Sequence, residues 1–204
     1  MKELVVISSA ECFEGEMMLV NRLFDAGMVL FHLRKPGISL ASHCALLNEI
    51  HPEFRDQVVL HQFHDPGALE GFHRFHFSST ERKRLWAEDE GFISKIKADS
   101  ASVILSTSIH SLDEADEPLD FDYAFFGPVF DSISKPGYKG MNLAGLKLPG
   151  YLKTELVALG GITADNITQV FDMGFDKAAI LGALWNDPSK ALSTFTQISK
   201  NASE

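Results

Sequence analysis

Residues 156–163 read LVALGGIT, and residues 178–183 read AAILGA. Each stretch is a short apolar run that ends in glycine and precedes a helical pattern. Such loops offer bare backbone N–H groups to a phosphate. In (β/α)8 barrels the phosphate site commonly follows strands seven and eight. The two stretches therefore predict a phosphate site at the end of a barrel, provided that six more strands precede them.

Six further apolar runs alternate with helical patterns along the chain. The eight predicted strands are Leu4–Ser8, Val29–Arg34, Gln57–His61, Arg74–Ser78, Val103–Thr107, Tyr123–Gly127, Leu156–Gly160 and Ala178–Gly182. The clearest helical patterns are Phe13–Ala26, Ser39–Ile50, Ala164–Met173 and Pro188–Ser199. Alternation of strand and helix implies parallel strands, in a closed barrel or in an open doubly wound sheet.

We predict a single α/β domain over residues 1–204, folded as a (β/α)8 TIM barrel. The doubly wound sheet is the alternative, but the glycine fingerprint of that fold does not follow the first strand. Between residues 62 and 102 the pattern is weakest, because Pro66 and Gly67 interrupt a third helix.

Composition excludes several classes of function. The net charge of −10, from 18 Lys and Arg against 28 Asp and Glu, argues against a nucleic-acid partner. The first apolar run is too short for a signal peptide or a membrane span, so we expect a cytoplasmic protein. Cys12 and Cys44 are expected to be free thiols. Glu81–Arg84 is expected to be a solvated first helical turn. Barrels with exposed apolar helix faces often associate in pairs, so we expect a homodimer.

Basic residues close the second predicted strand. Arg34 and Lys35 would lie opposite the glycine loops, where a guanidinium suits bidentate contact with an oxyanion. His32 shares the face of Arg34 by the period of two. It either faces the barrel mouth or is a hydrogen-bonded histidine of the core.

Polar residues also follow the fifth and sixth strands. His110 lies at a helix entrance, where Ser108 or Ser111 would cap the helix. A histidine there either makes a structural hydrogen bond or, facing a cavity, acts as a general base. The loop after strand six is long and rich in proline and glycine, as lids often are. It carries Ser132, Ser134 and Lys135, which would contact a substrate beneath it.

Three motifs in this order resemble the thiamine phosphate synthase and TenI superfamily of (β/α)8 barrels. They read SIHSLDEA at 108–115, FGPVF at 126–130 with the loop residues above, and LGGIT at 159–163. The resemblance implies that Gly160, Gly161, Gly182 and Ala183 hold the phosphate of a thiazole phosphate. Together with the positions at the strand ends, it predicts substrate contacts from the residues His32, Arg34, Lys35, Ser108, Ser132, Ser134 and Lys135.

The chain departs from the synthase pattern after strands two and three. Synthases carry Gln-x-Arg-x-Lys on strand two and an Asn-Asp pair after strand three, whose aspartate helps to bind Mg²⁺. Here residues 32–36 read HLRKP, and His61-Gln62 follows strand three where synthases have the Asn-Asp pair. These departures resemble the TenI branch, which aromatises a thiazole phosphate carboxylate tautomer without metal. His110 would then be the acid–base residue, and no cofactor would be needed.

Two other functions remain open at this point. A synthase would join hydroxymethylpyrimidine diphosphate to thiazole phosphate and would use Mg²⁺. A non-catalytic barrel would bind the phosphate ligand and turn nothing over. We assign no metal site, because the spacing of His64, His73 and His76 matches no standard one.

Overall fold

Eight parallel strands close into a barrel in chain order, and the last strand pairs with the first. The computed structural model describes residues 2–64, 71–100, 102–116, 120–132, 137, 139–141 and 146–203. The strands are β1 Glu3–Ile7, β2 Leu30–Leu33, β3 Val58–Leu60, β4 Arg74–Phe77, β5 Ile104–Ile109, β6 Tyr123–Phe126, β7 Glu155–Leu159 and β8 Lys177–Ile180. The predicted TIM barrel is confirmed, and the doubly wound sheet is excluded. Each predicted strand exists, with ends that differ by at most two residues.

Helices cover the outside of the barrel. In the described part of the chain they are α1 Glu16–Asp25, α2 Leu40–Asn48, α3 Ser79–Glu88, α4 Phe92–Asp99, α5 Leu112–Asp116, α6 Ile167–Asp172, α7 Gly182–Trp185 and α8 Ala191–Ser203. Short 3-10 turns cover Pro52–Gln57 and Pro188–Lys190. Ser39 and Ser78 begin α2 and α3 by accepting hydrogen bonds from backbone N–H groups. The predicted helix from 13 to 26 begins later, because Gly15 at its start has a left-handed conformation.

Alternation along each strand produces two apolar layers. Side chains on the outer face of the strands pack between the barrel and its helices, among them Phe31 and Leu33 of β2. The other, including Leu30 of β2, fills the barrel interior with a smaller apolar cluster. His32 shares the inward face of Leu30 and is fully buried. The interior therefore changes from apolar to polar towards the carboxyl ends of the strands, where the site is expected.

Two expectations about charge and cysteine have definite outcomes. The basic run at 81–84 does lie in a helix, but Arg82 is not solvated. It is 1% exposed and its Nη2 lies 2.6 Å from Oε2 of Glu114. The prediction was wrong there because α3 turns this residue towards α5, a contact that local sequence does not reveal. Cys12 and Cys44 are free, as expected. No helix among the described residues has the length and hydrophobicity needed to cross a membrane.

Candidate active site at the carboxyl ends of the strands

The loop after β7 depends on two glycines. Gly160 and Gly161 have φ values of 108° and 64°, which side chains other than glycine rarely adopt. A Cβ on Gly161 would lie 2.3 Å from the carbonyl oxygen of Asp131, and one on Gly160 would lie 2.8 Å from Pro128. The loops after β6 and β7 therefore approach each other as closely as backbone allows.

Asn166 holds this glycine loop in shape. Its Nδ2 donates to the carbonyl oxygen of Gly161 at 2.9 Å, and its Oδ1 accepts from the N–H of Thr163 at 2.8 Å. Among the described residues, the N–H groups of Gly161 and Ile162 have no protein acceptor. The loop thus presents two donors, as a phosphate site requires. Sequence reasoning missed Asn166, although an asparagine just before a helix is a recognisable capping signal.

A small cavity opens beside this loop. It is lined by Ser132, Leu159, Gly160, Gly161, Leu181 and Gly182, together with Ile162 and Ala179. The structure therefore brings four predicted site residues together from β6, β7 and β8, three of them glycines. Ala183 follows Gly182 in α7 but does not line the cavity. Ser134 and Lys135, predicted on the same loop as Ser132, lie outside the described residues.

His110 is exposed at the end of β5 and faces the loop after β6. Its Nδ1 lies 2.9 Å from the carbonyl oxygen of Gly127, and its Nε2 lies 3.4 Å from Oγ of Ser79. A carbonyl only accepts, so Nδ1 carries the proton, and the lone pair of Nε2 faces the hydroxyl of Ser79. Gly127 in turn packs tightly against β7: a Cβ on Gly127 would lie 2.1 Å from the carbonyl oxygen of Leu159. His110 is therefore anchored next to the strand that carries the glycine pair.

Arg34 is exposed at the end of β2. Its N–H donates to Oγ of Ser8 and its carbonyl oxygen accepts from the same hydroxyl, both at 2.9 Å. Its guanidinium makes no hydrogen bond or ion pair with any residue that the structure describes. The backbone of Arg34 is thus fixed by Ser8, while its guanidinium has no partner in the part of the chain that the structure describes.

Lys35 corrects a sequence expectation. It was predicted to contact substrate, but it is 1% exposed and its Nζ lies 2.7 and 2.5 Å from the two carboxylate oxygens of Glu16. The carbonyl oxygen of Glu11 takes a further hydrogen bond at 3.0 Å. Lys35 follows the opposite side of the strand from Arg34, so it points away from the mouth and into α1. Its three donors are used inside the protein.

Three histidines meet in the upper barrel interior. Nδ1 of His32 lies 3.0 Å from Nε2 of His61, and the rings of His61 and His76 stack with centroids 4.2 Å apart. His32 is thus the hydrogen-bonded core histidine, one of the two alternatives its position left open. Burial holds the pKa of His32 and of His61 well below the usual range and lowers that of His76 to about 3. Sequence reasoning grouped His76 with His64 and His73 and so missed this cluster.

Polar side chains surround the histidine cluster. The hydroxyl of Tyr123 lies 2.9 Å from Nε2 of His32, and Oγ of Ser106 lies 2.9 Å from Nδ1 of His76. Ser108, predicted to contact substrate, is half-buried with its Oγ 3.1 Å from Nε2 of His76. It belongs to this cluster and also borders the mouth, whereas Ser111 caps α5 by accepting from the N–H of Glu114 at 3.3 Å.

The residues after β3 do not fit Mg²⁺. That ion requires oxygen ligands, usually with one or two carboxylates. His61 is bound to His32, and Oε1 of Gln62 accepts from the N–H of Lys35 at 3.3 Å. The described residues at this strand end therefore supply imidazole nitrogen and an occupied amide oxygen, with no carboxylate.

A closed parallel barrel with a glycine-lined cavity after strands seven and eight defines a (β/α)8-barrel protein. A family model described as thiamine monophosphate synthase matches residues 88–184. A thiamine-phosphate synthase of Anoxybacillus flavithermus is 33% identical over 88% of this chain and 83% of its own length. One from Koribacter versatilis is 29% identical over 96% and 94%. The chain belongs to the thiamine monophosphate synthase and TenI family, among the enzymes of thiamine biosynthesis.

A solved structure shares the same fold. The thiamine phosphate pyrophosphorylase of Pyrococcus furiosus matches with a TM-score of 0.77 at 20% identity, over 98% of this chain and 95% of its own. At that identity the likeness establishes the barrel alone.

Proposed function

We propose that this protein binds a thiazole phosphate and catalyses TenI-like tautomerisation of its ring, with His110 as the acid–base residue. The observation that carries the proposal is the orientation of His110. Its Nδ1 is committed to the carbonyl oxygen of Gly127, which leaves Nε2 as a base at the barrel mouth. A base of this kind contributes about 10²–10⁴-fold to the rate of a proton transfer.

The glycine loop supplies the binding half of the proposal. The N–H groups of Gly161 and Ile162 would donate to the phosphate oxygens, and Ser132 also lines the cavity. The exposed guanidinium of Arg34 would meet the second anionic group of the substrate, a carboxylate. The net charge of −10 makes such local donors necessary for an anionic ligand.

The chemistry needs one mobile proton. Nε2 of His110 would remove the proton from the sp³ ring carbon of the tautomer and return it to the exocyclic carbon of the conjugated double bond, so that no sp³ carbon remains in the ring and it becomes aromatic. The imidazolium formed in between would keep its Nδ1–H on Gly127, so the ring would not need to turn. No leaving group departs, and the residues described here supply each role.

The second candidate is thiamine phosphate synthase activity, which would join hydroxymethylpyrimidine diphosphate to thiazole phosphate. The names of the two curated relatives favour it, since both align over most of their own length. Against it stands the residue pair His61-Gln62, where the resemblance implies an aspartate for Mg²⁺. A departing diphosphate needs its negative charge neutralised, and the described residues of this strand end, up to His64, offer no carboxylate to hold a metal for that purpose.

Two parallel assays on the purified protein test the proposal. In one, the thiazole phosphate carboxylate tautomer is converted to the aromatic isomer and followed by proton NMR. In the other, thiazole phosphate, hydroxymethylpyrimidine diphosphate and Mg²⁺ are mixed and thiamine phosphate is measured. We expect turnover in the first assay and none above background in the second. Thiamine phosphate formation that needs Arg34 but tolerates His110→Ala would establish the synthase instead.

A third outcome identifies the non-catalytic alternative. If neither reaction turns over, but thiazole phosphate raises the melting temperature, the barrel is a ligand-binding protein. If the ligand leaves the melting temperature unchanged, the assignment of the glycine cavity is wrong.

A further inference from the structure

The histidine cluster inside the barrel has a property that the proposed function does not use. His32, His61 and His76 each place a ring nitrogen so that the three atoms lie within 4.8 Å of one another. The three residues come from neighbouring strand ends of β2, β3 and β4. Pairing of Leu60 with Phe75 puts the next residues, His61 and His76, side by side. The cluster is therefore fixed by the barrel and not by flexible loops.

We infer that His32, His61 and His76 form a binding site for one transition-metal ion of the zinc class, with a fourth position open towards the barrel mouth. Three histidines and one exchangeable ligand are a standard donor set for Zn²⁺. Zinc–nitrogen bonds are about 2.0–2.1 Å long, so each ring nitrogen would move inwards by less than about 1 Å. Imidazole nitrogen suits zinc, copper, iron and nickel and does not suit Mg²⁺.

The surrounding hydrogen bonds orient the rings as metal sites require. Nε2 of His32 faces the Tyr123 hydroxyl at 2.9 Å, which leaves Nδ1 for the ion. Nδ1 of His76 faces Oγ of Ser106 at 2.9 Å, so Nε2 is the nitrogen that would bind the ion, in exchange for its present contact with Oγ of Ser108 at 3.1 Å. Partners of this kind on the outer ring nitrogen fix the tautomer and the direction of a histidine ligand. Nε2 of His61 already lies 3.0 Å from Nδ1 of His32, a separation close to that of two nitrogens sharing one ion.

Charge decides what the fourth ligand is. Three neutral imidazoles leave the two positive charges of the ion uncompensated, and the guanidinium of Arg34 at the end of β2 adds another. The fourth ligand is therefore an anion, either hydroxide or an anionic group of a molecule in the mouth. It would enter past His61 and Ser108, the half-buried members of this layer.

The test is metal binding by the full chain after removal of metals with a chelator, without any thiazole ligand. Zn²⁺ is titrated in competition with a chromophoric chelator, and bound metal is counted by elemental analysis. We expect one ion per chain, with affinity at least about 10-fold lower in His61→Gln and in His76→Gln. His64→Gln, a neighbouring histidine outside the cluster, is the matched control and should bind like the wild type.

Co²⁺ provides a second measurement on the wild-type protein, which holds even if a cluster variant fails to fold. Four-coordinate Co²⁺ with nitrogen ligands gives a strong visible band that six-coordinate Co²⁺ lacks. One equivalent with this band supports the site. Absence of stoichiometric Zn²⁺ binding, a six-coordinate Co²⁺ spectrum, or folded cluster variants that bind as well as His64→Gln would each overturn it. None of these readings depends on the tautomerase activity.

Discussion

Nδ1 of His110 lies 2.9 Å from the carbonyl oxygen of Gly127, and this contact joins the end of β5 to the loop after β6. It sets the tautomer of the histidine and holds its other nitrogen at the mouth. We expect His110→Ala to lower the tautomerisation rate by about 10²–10⁴-fold, because the base is lost. Thermal unfolding should change little, since the side chain is exposed.

His51→Ala is the matched control for this variant. The His51 side chain is 55% exposed, lies 3.8 Å from Glu53 and stacks on Phe54, and it precedes β3, at the end of the barrel opposite to the proposed site. Its activity should equal that of the wild type. Full activity in His110→Ala, measured in the same assay, would show that another group moves the proton.

The buried ion pair of Lys35 and Glu16 predicts a large effect on stability. Both side chains are 1% exposed, and burial raises the pKa of Glu16 even though Lys35 opposes that rise. Lys35→Met leaves the carboxylate buried without its partner, so we expect unfolding to become easier by about 3–5 kcal/mol at pH 7. Denaturant titration measures this, and Lys35→Met/Glu16→Leu should recover most of the loss.

The pH dependence of the single variant has a definite sign. Without Lys35 the pKa of Glu16 rises further, so the folded state takes up a proton at higher pH than the unfolded state. Its stability deficit should be largest above the raised pKa and should shrink as the pH falls through that pKa towards the ordinary pKa of the carboxyl in the unfolded chain. A deficit independent of pH would mean that lost packing, rather than the buried charge, causes the effect.

Asn166 is expected to affect ligand binding although its side chain does not itself contact the ligand. Its two hydrogen bonds hold Gly161 and Thr163, so Asn166→Ala should loosen the donors of the glycine loop. We expect about 10-fold weaker binding of thiazole phosphate by calorimetry and a stability loss of about 1–2 kcal/mol. Asn201→Ala is the control, because Nδ2 of Asn201 donates to the carbonyl oxygen of Ala164 but lies outside the cavity. This control variant should be less stable than the wild type but should bind thiazole phosphate with unchanged affinity.

His43 predicts acid sensitivity. It is fully buried against Phe63, and within the described residues neither ring nitrogen has a hydrogen-bond partner. Burial lowers its pKa to about 4. Between pH 6.5 and 4 the unfolded chain binds the proton that the folded state refuses, so stability falls as the pH falls, by at most about 1.4 kcal/mol per pH unit.

Replacing His43 with an apolar residue removes the two unpaired ring nitrogens and the group with the lowered pKa. His43→Leu should raise stability at pH 7 by about 1–3 kcal/mol, because two unsatisfied polar atoms leave the interior. It should also flatten the dependence of stability on pH between 6.5 and 4. An unchanged slope in that interval would assign the acid sensitivity to other groups.

The barrel was predictable because its strands and helix ends follow from local sequence patterns. Each strand is a short apolar run and each glycine stop marks a helix end, as at Gly27 and Gly174 with φ values of 101° and 99°. The cavity of Gly160, Gly161 and Gly182 followed from the same reasoning, since strand order places these loops together. The extent of the domain, the dimer and the cellular location stay predictions.

The histidine cluster and the Lys35 ion pair depend on tertiary contacts. His61 and His76 meet because Leu60 pairs with Phe75, a register that neither strand specifies alone. Lys35 and Arg34 look alike as basic residues at a strand end. The position of α1, which brings Glu16 beneath the strand, decides that Lys35 is the one buried in an ion pair.

A crystal structure of the protein with thiazole phosphate would show whether the glycine loop and His110 form one site. We predict that the phosphate accepts hydrogen bonds from the N–H groups of Gly161 and Ile162, and that the thiazole ring faces Nε2 of His110. A ligand seated elsewhere, with its phosphate away from the glycine loop or its ring out of reach of His110, would contradict the account.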